Sequence, residues 1–281
     1  MRVLARHTTL WGSFALALCL TPLPGCARPS ASDKAQALVR QHREEEAVAL
    51  LRRDLTTHPD DVPARRLLVR LLGFTGDMPG ARVETEELVR RLGPSDPTPY
   101  LELGHALELA HRYDEALQAY DEAAAVAPAS PAGPREGGMR TARWGELEEA
   151  RARLEEAVKR GANDAETWHA LGLVRLHLGD AEGADAAYRT GATVNPSSPE
   201  CWLGLATVAV SRGDASGALA AYDRLLVLRP RFAAAELGRA WALAKLGRKD
   251  EAGRALDHAE ELGAPAQNVA RQRAALAGAG P

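Results

Sequence analysis

The apolar positions of this chain recur on helical spacing, and the recurrence itself repeats. "RYDEALQAYDEAAAVAP" (112–128), "GELEEARARLEEAVKRGA" (145–162), "GDAEGADAAYRTGATVNP" (179–196) and "GDASGALAAYDRLLVLRP" (213–230) are variants of one stretch. In each, an Ala is followed four residues later by Tyr or Leu, one turn along the same helix face. The Ala residues at 116, 150, 184, 218 and 252 stand 34 apart, and Ala47 and Ala81 keep that spacing one residue out of phase. A second small position precedes each of the five by twelve residues, at Gly104, Gly138, Gly172, Ala206 and Ala240. Four residues before it come Tyr100, Trp168 and Trp202. Gly179-Asp180 and Gly213-Asp214 break the pattern in mid-repeat, Gly ending one helix and Asp capping the next. Pro59, Pro128, Pro196 and Pro230 lie near the ends of their repeats, where Pro stops a helix. The pattern therefore predicts pairs of helices, written again and again.

"WHALG" (168–172) and "ADAAY" (184–188) resemble the W-x-x-L-G opening and the A-x-x-x-aromatic core of the tetratricopeptide repeat. The resemblance covers residues 28–266 and divides them into units at 28–61, 62–95, 97–130, 131–164, 165–198, 199–232 and 233–266. It implies an all-α fold: a right-handed α-solenoid of about seven 34-residue helix–turn–helix units plus a C-terminal capping helix. One unit cannot bury its own apolar face, so units stack and the last needs a polar cap. Residues 267–281 supply the capping helix and tail, with a helix over 266–276 that turns Gln267, Arg271 and Gln272 to water. Close crossings of the Gly172/Ala184 kind are expected inside each unit, with Trp168 and Trp202 as core. The first unit lacks an aromatic opening. In the fourth, Pro134 takes the aromatic place and Gly137-Gly138 are expected to loosen the first helix.

Composition sharpens this picture. Of 281 residues 46% are hydrophobic but only 5% aromatic, and Ile is absent, which suits helices better than strands. A net charge of −3 carries no polyanion-binding signature, and no nucleic-acid partner is expected. The N-terminus differs in kind. "MRVLARH" is basic and "TTLWGSFALALCL" (8–20) is a short apolar run, too short for a comfortable membrane span, as in a secretory signal. Leu23-Pro24-Gly25-Cys26 resembles the bacterial lipobox, with Pro24 departing from its usual small residue. That resemblance implies a signal peptide over 1–25, acylation of Cys26, a tether over 26–34 and membrane attachment through the lipid, each buried methylene contributing about 0.8 kcal/mol. Cleavage would leave 33 of the 35 basic residues against 38 acids, a net charge of −5. An ordinary secretory signal and an uncleaved anchor are the alternatives. Ala27 is not the Asp that favours inner-membrane retention, so an outer-membrane lipoprotein facing the periplasm is expected. Cys201 is left without a Cys partner, a small buried thiol.

No motif for catalysis stands out. The chain has no P-loop, no G-x-S-x-G and no H-E-x-x-H, and "GDASG" (213–217) falls in a helix–helix turn. His169 and His177 lie two turns apart, about 12 Å, too far to share a metal without other ligands. No enzyme, metal or cofactor is expected; what remains is a surface. In tetratricopeptide arrays the first helices line the concave wall. The resemblance places Arg66, Arg70, Phe74, Leu101 and His105 there, followed by Arg135, Met139 and Arg143. Further along come His169, Leu173, His177, Leu203, Thr207 and Val210, and last Leu237 and Trp241. This reads as a basic first half and an apolar second half, a groove for a protein or peptide with an acidic and an apolar part. Solvation of the Arg residues and packing of Trp241 under the last helix are the plainer readings. The Lys and Asn of the carboxylate-clamp members are missing. The expected function is a non-catalytic scaffold in the bacterial envelope. A cytoplasmic adaptor, or an accessory subunit of a cell-wall or pilus-secretion complex, are the alternatives.

Overall fold

In the computed structural model the described residues, 29–278, form fifteen α-helices and no strand. The pairs are α1 (Ala31–Val39) with α2 (Glu44–Thr57), α3 (Val62–Phe74) with α4 (Met78–Leu92), and α5 (Thr98–Leu109) with α6 (Tyr113–Val126). Next come α7 (Ala132–Trp144) with α8 (Leu147–Lys159), and α9 (Ala165–His177) with α10 (Ala181–Val194). The array closes with α11 (Pro199–Ser211) and α12 (Ala215–Leu228), α13 (Ala233–Lys245) and α14 (Lys249–Glu261), and the single helix α15 (Ala266–Gly278). Seven pairs and a cap are therefore present, as the 34-residue period requires.

The helix ends follow local chemistry. Side chains of Asp61, Asp77, Asp164, Asp180, Ser198 and Asp214 accept a backbone N–H of the first turn, satisfying a donor the helix leaves open. Ser30 and Asp33 form a reciprocal capping box at the start of α1. The turn inside each pair needs one left-handed residue. Gly76, Gly145, Gly179, Gly213 and Gly247 supply it, but His42 (φ 57°) and His111 (φ 58°) hold the same place in the first and third units.

Successive first helices also touch one another along most of the array, α3 against α5 and α9 against α11 for example, whereas second helices have no comparable mutual packing. The first helices thus lie on the crowded, inner side of the curve. In the third, fifth and sixth units the wedge between helices is a tyrosine, Tyr120, Tyr188 or Tyr222. Tyr188 is buried on α10 between Gly172 of α9 and Gly204 of α11; a Cβ there would approach its ring to 2.7 and 2.5 Å respectively. The crossing residue opposite Gly172 is thus the ring of Tyr188, one turn beyond the expected Ala184.

Three apolar clusters make up the core: Ala35 to Tyr120, Ala150 to Ala187, and Ala184 to Val269. The break between the first two falls at α6 and α7, where α7 brings Gly, Pro and Arg to the seam. Gly137 and Gly138 do not loosen α7, which is continuous; a Cβ on Gly138 would meet Leu154 at 2.8 Å, so the small residue lets α8 close in. Two other expectations need correction. Residues 31–34 belong to α1 rather than to a tether, because the capping box starts the helix. Gln272 does not face water, since its amide donates to the Leu237 carbonyl at 3.2 Å and pins α15 to α13. The expected signal peptide over 1–25 and Cys26 lie outside the described residues.

Candidate functional site

The inner face is built by α3, α5, α7, α9, α11 and α13, and its first half is a chain of ion pairs. Arg66 and Arg70 of α3 both reach the carboxylate of Glu102 on α5. Arg66 donates from Nε at 2.7 Å and Arg70 from Nη2 at 2.9 Å. Glu102 is 1% exposed while the two arginines keep 45% and 43% of their side chains in water. Burial pushes the Glu102 carboxyl up, but the nearby His105 ring and the hydrogen bonds and charge of Arg70 and Arg66 outweigh it and hold the group down at about 2.

The chain continues through His105. Its Nε2 lies 3.3 Å from Glu136 Oε2 on α7, and its Nδ1 lies 3.9 Å from Glu102, close enough for charge but not for a hydrogen bond. Burial lowers the imidazole pKa, the two carboxylates raise it, and the net direction is upward. The ring stands edge-on to Tyr120, with centroids 5.8 Å apart. Glu136 also takes Arg135 at 2.6 Å and Arg140 at 3.2 Å, and Arg140 returns to Glu108 of α5 at 2.7 Å. Arg135 reaches on to Glu166 of α9 at 2.7 Å and donates to Thr167 Oγ1 at 3.0 Å. The pairs of Arg66 and Arg70 with Glu102, His105 with Glu136, Arg140 with Glu108 and Arg135 with Glu166 join neighbouring units, and those within α5 and α7 connect them into one network along the inner face.

The basic first half read from the sequence is thus largely neutralised. Arg66, Arg70 and Arg135 are committed to carboxylates of their own chain; only Arg143 of the four stays exposed without an ion pair among the described residues. Leu101 and Met139 are half-buried against the core. Phe74 is 56% exposed, at the end of α3. His169 leans on Tyr188 at 5.9 Å, and burial holds its pKa down. The second half is different: Leu173 and Leu203 are 40% and 37% exposed on α9 and α11. His177 and Thr207 are exposed beside them, and Val210, Leu237 and Trp241 are half-buried against the core. His177 is tied through Nδ1 to the Leu173 carbonyl at 3.0 Å, which leaves its other ring nitrogen outward. The residues that sequence reasoning missed are Glu102, Glu136, Arg140 and Glu166. A signal existed for the first two, which stand 34 apart at the same place in successive units.

Residues 143–199 and 203–267 match the tetratricopeptide repeat family model. Solved structures of similar fold include the C-terminal part of a tetratricopeptide repeat protein from Cytophaga hutchinsonii. Its TM-score is 0.63 at 14% identity, over 86% of this chain and 98% of that one. YrrB, described as having an unusual peptide-binding site, gives 0.60 at 17% identity over 67% and 97%. PilF of Pseudomonas aeruginosa gives 0.57 at 18% identity over 75% and 97%. No match was found among curated proteins by sequence. At these identities the likeness is one of fold. The family model assigns tetratricopeptide repeats to residues 143–199 and 203–267, and the described residues as a whole fold as an all-α array of helix pairs like those of the solved tetratricopeptide structures.

Proposed function

We propose that the protein is a non-catalytic scaffold of the bacterial envelope, held on the outer membrane by acylated Cys26, that grips a protein or peptide partner in the apolar part of its inner groove. The observation that carries the groove assignment is the exposure of Leu173 and Leu203 on adjacent first helices, continued by half-buried Leu237 and Trp241. An apolar side chain left in water on a face that elsewhere satisfies its charges internally is a contact surface. Arg143 and His177 border that strip and suit an acidic residue beside the partner's apolar anchors. The Leu23–Cys26 stretch supports the anchor, and Ala27 the outer membrane.

Two experiments test this. Leu173→Asp/Leu203→Asp should abolish capture of the partner retained by the wild type from solubilised envelopes, with an unchanged helical circular dichroism spectrum; equal capture by the folded variant refutes the groove. Cys26→Ser should release the protein from outer-membrane fractions or leave it unprocessed. A variant that fractionates and migrates like the wild type refutes the anchor and favours a cytoplasmic adaptor.

A further inference from the structure

We infer that the cleft between the fifth and sixth units, on the outer face opposite the groove, is a docking site for an acidic protein segment bearing an apolar side chain. The cleft is walled by α10 and α12 and floored by Trp202, Leu205 and Ala209 of α11, with a volume of about 280 Å³. That lies below the range of about 300–1,000 Å³ usual for small-molecule pockets and suits a single inserted side chain. Arg189, Arg212 and Arg224 line it, with Asp185 and Asp214.

The other repeats serve as internal controls, and all three arginines depart from the second and later units; the first unit alone repeats arginine, Arg52 and Arg53, at the places of Arg189 and Arg224. Arg189 stands where other units carry Glu86, Asp121, Glu155, Asp223 and Asp257. Arg224 stands where the second, third and fourth units carry Glu87, Glu122 and Glu156. Arg212 takes a place held by Ala110, Trp144, Leu178 and Leu246. The equivalent cleft between the second and third units, floored by Tyr100 and Leu103, has Glu86 and Glu122 at the places of Arg189 and Arg224. Its Arg82 and Arg90 are paired with Glu115 and Glu87. The same geometry therefore occurs twice with opposite charge, and the helix scaffold does not require arginine at these places.

The acids of the cleft are already used. Asp185 accepts from Nε and Nη2 of Arg189, at 2.6 and 3.2 Å. Asp214 caps α12 through Gly217 N at 2.9 Å and accepts from Ser216 at 2.8 Å. Arg212 and Arg224 have no ion pair among the described residues and are exposed. Two unpaired guanidinium forks over an apolar floor match carboxylates flanking a hydrophobic side chain. The α12 N-terminus, closed by Asp214, offers no amide cradle for a free phosphate. An acidic peptide is thus the occupant that uses both the charge and the floor.

The test is fluorescence anisotropy on the full chain with labelled twelve-residue peptides in which Asp and Glu flank one Phe or Leu. Control peptides carry Asn and Gln instead. The acidic peptides should bind, more weakly as salt rises, and the controls should not. Arg212→Leu/Arg224→Glu installs residues other units already hold at these places and should weaken binding by about tenfold or more with an unchanged circular dichroism spectrum. The single change Arg224→Gln should give an intermediate loss and serves if the double variant unfolds. Leu203→Asp, on the opposite face, should leave this binding intact even where groove binding is lost. The inference fails if no acidic peptide binds, or if the folded variants bind as the wild type does. It also fails if inorganic phosphate or phosphatidylglycerol vesicles displace the peptides as well as an acidic competitor does, which would indicate an unspecific anion or lipid contact.

Discussion

Replacing Glu102 by Gln tests whether the inner-face network holds the second and third units together. The change keeps the volume and removes the charge that Arg66 and Arg70 share. Holding the carboxyl at about 2 rather than its ordinary 4.5 corresponds to about 3 kcal/mol of differential stability. The arginines are nearly half exposed and can rehydrate, so water screens part of this and a loss of about 2 kcal/mol at pH 7 is expected. The sign with pH is fixed by the direction of the shift. A depressed folded pKa stabilises above the unfolded value of 4.5, and that stabilisation is lost as pH falls toward about 2. Wild type and Glu102→Gln should therefore differ fully at pH 6–7 and converge progressively below about pH 5. Urea midpoints at several pH values read the global effect, and amide exchange in α3 and α5 reads the seam itself. Equal stability at pH 7, or a difference that stays constant down to pH 3, refutes the argument that this buried carboxylate is a structural tie.

Gly204→Ala should overpack Tyr188 and cost roughly 1–3 kcal/mol in a denaturation midpoint. The Gly204→Ala/Tyr188→Leu pair should cost less than the sum of its parts, because the shorter side chain vacates the clash. His105→Gln tests the opposite titration. The folded His105 pKa lies above its ordinary 6.5, so the stabilisation it contributes is present below that value and is lost as pH rises through the folded pKa. The gap between wild type and variant should therefore be wider at pH 6 than at pH 8, and a gap that grows with pH overturns the assignment of Glu102 and Glu136 as its partners.

The period of 34 made the helix pairs, their turns and the cap legible, because each depends on residues close in sequence. Gly179 and Asp180 announce a turn whatever lies around them, and the structure has that turn. What was hidden depends on partners a whole unit away. Glu102 reads as an ordinary surface acid on α5; it is buried because Arg66 and Arg70, 36 and 32 residues earlier, converge on it. The arginines of the inner wall were legible by position, but their availability was not, since pairing is settled by side-chain reach across a seam. Tyr188 was legible as the aromatic one turn beyond Ala184 on the same helix face, yet its neighbours, Gly172 and Gly204, include one from the next unit.

The same distinction bears on how the two surfaces share one helix. In α11, "PECWLGLATVAVS", apolar residues point in nearly every direction. A helix apolar all round is normally enclosed on all sides. Here Cys201, Gly204, Leu205, Ala206, Val208 and Ala209 are buried, and they already satisfy the packing of α11 against α9, α10 and α12. Leu203 is left over on the inner face, and Trp202 lies half-buried at the floor of the outer cleft. The surplus is what the stacking of repeats does not account for. Other units show what the scaffold accepts at those places: Arg66, Leu101, Arg135, His169 and Leu237 stand in line with Leu203, and Arg65, Tyr100, Pro134, Trp168 and Glu236 in line with Trp202, all in helices that form and stack as well. Apolar residues recur at these places, so what sets the sixth unit apart is exposure: Leu203 keeps 37% of its surface in water where Leu101 and Leu237 are half-buried against the core, and that exposed part is what the proposed groove contact would use.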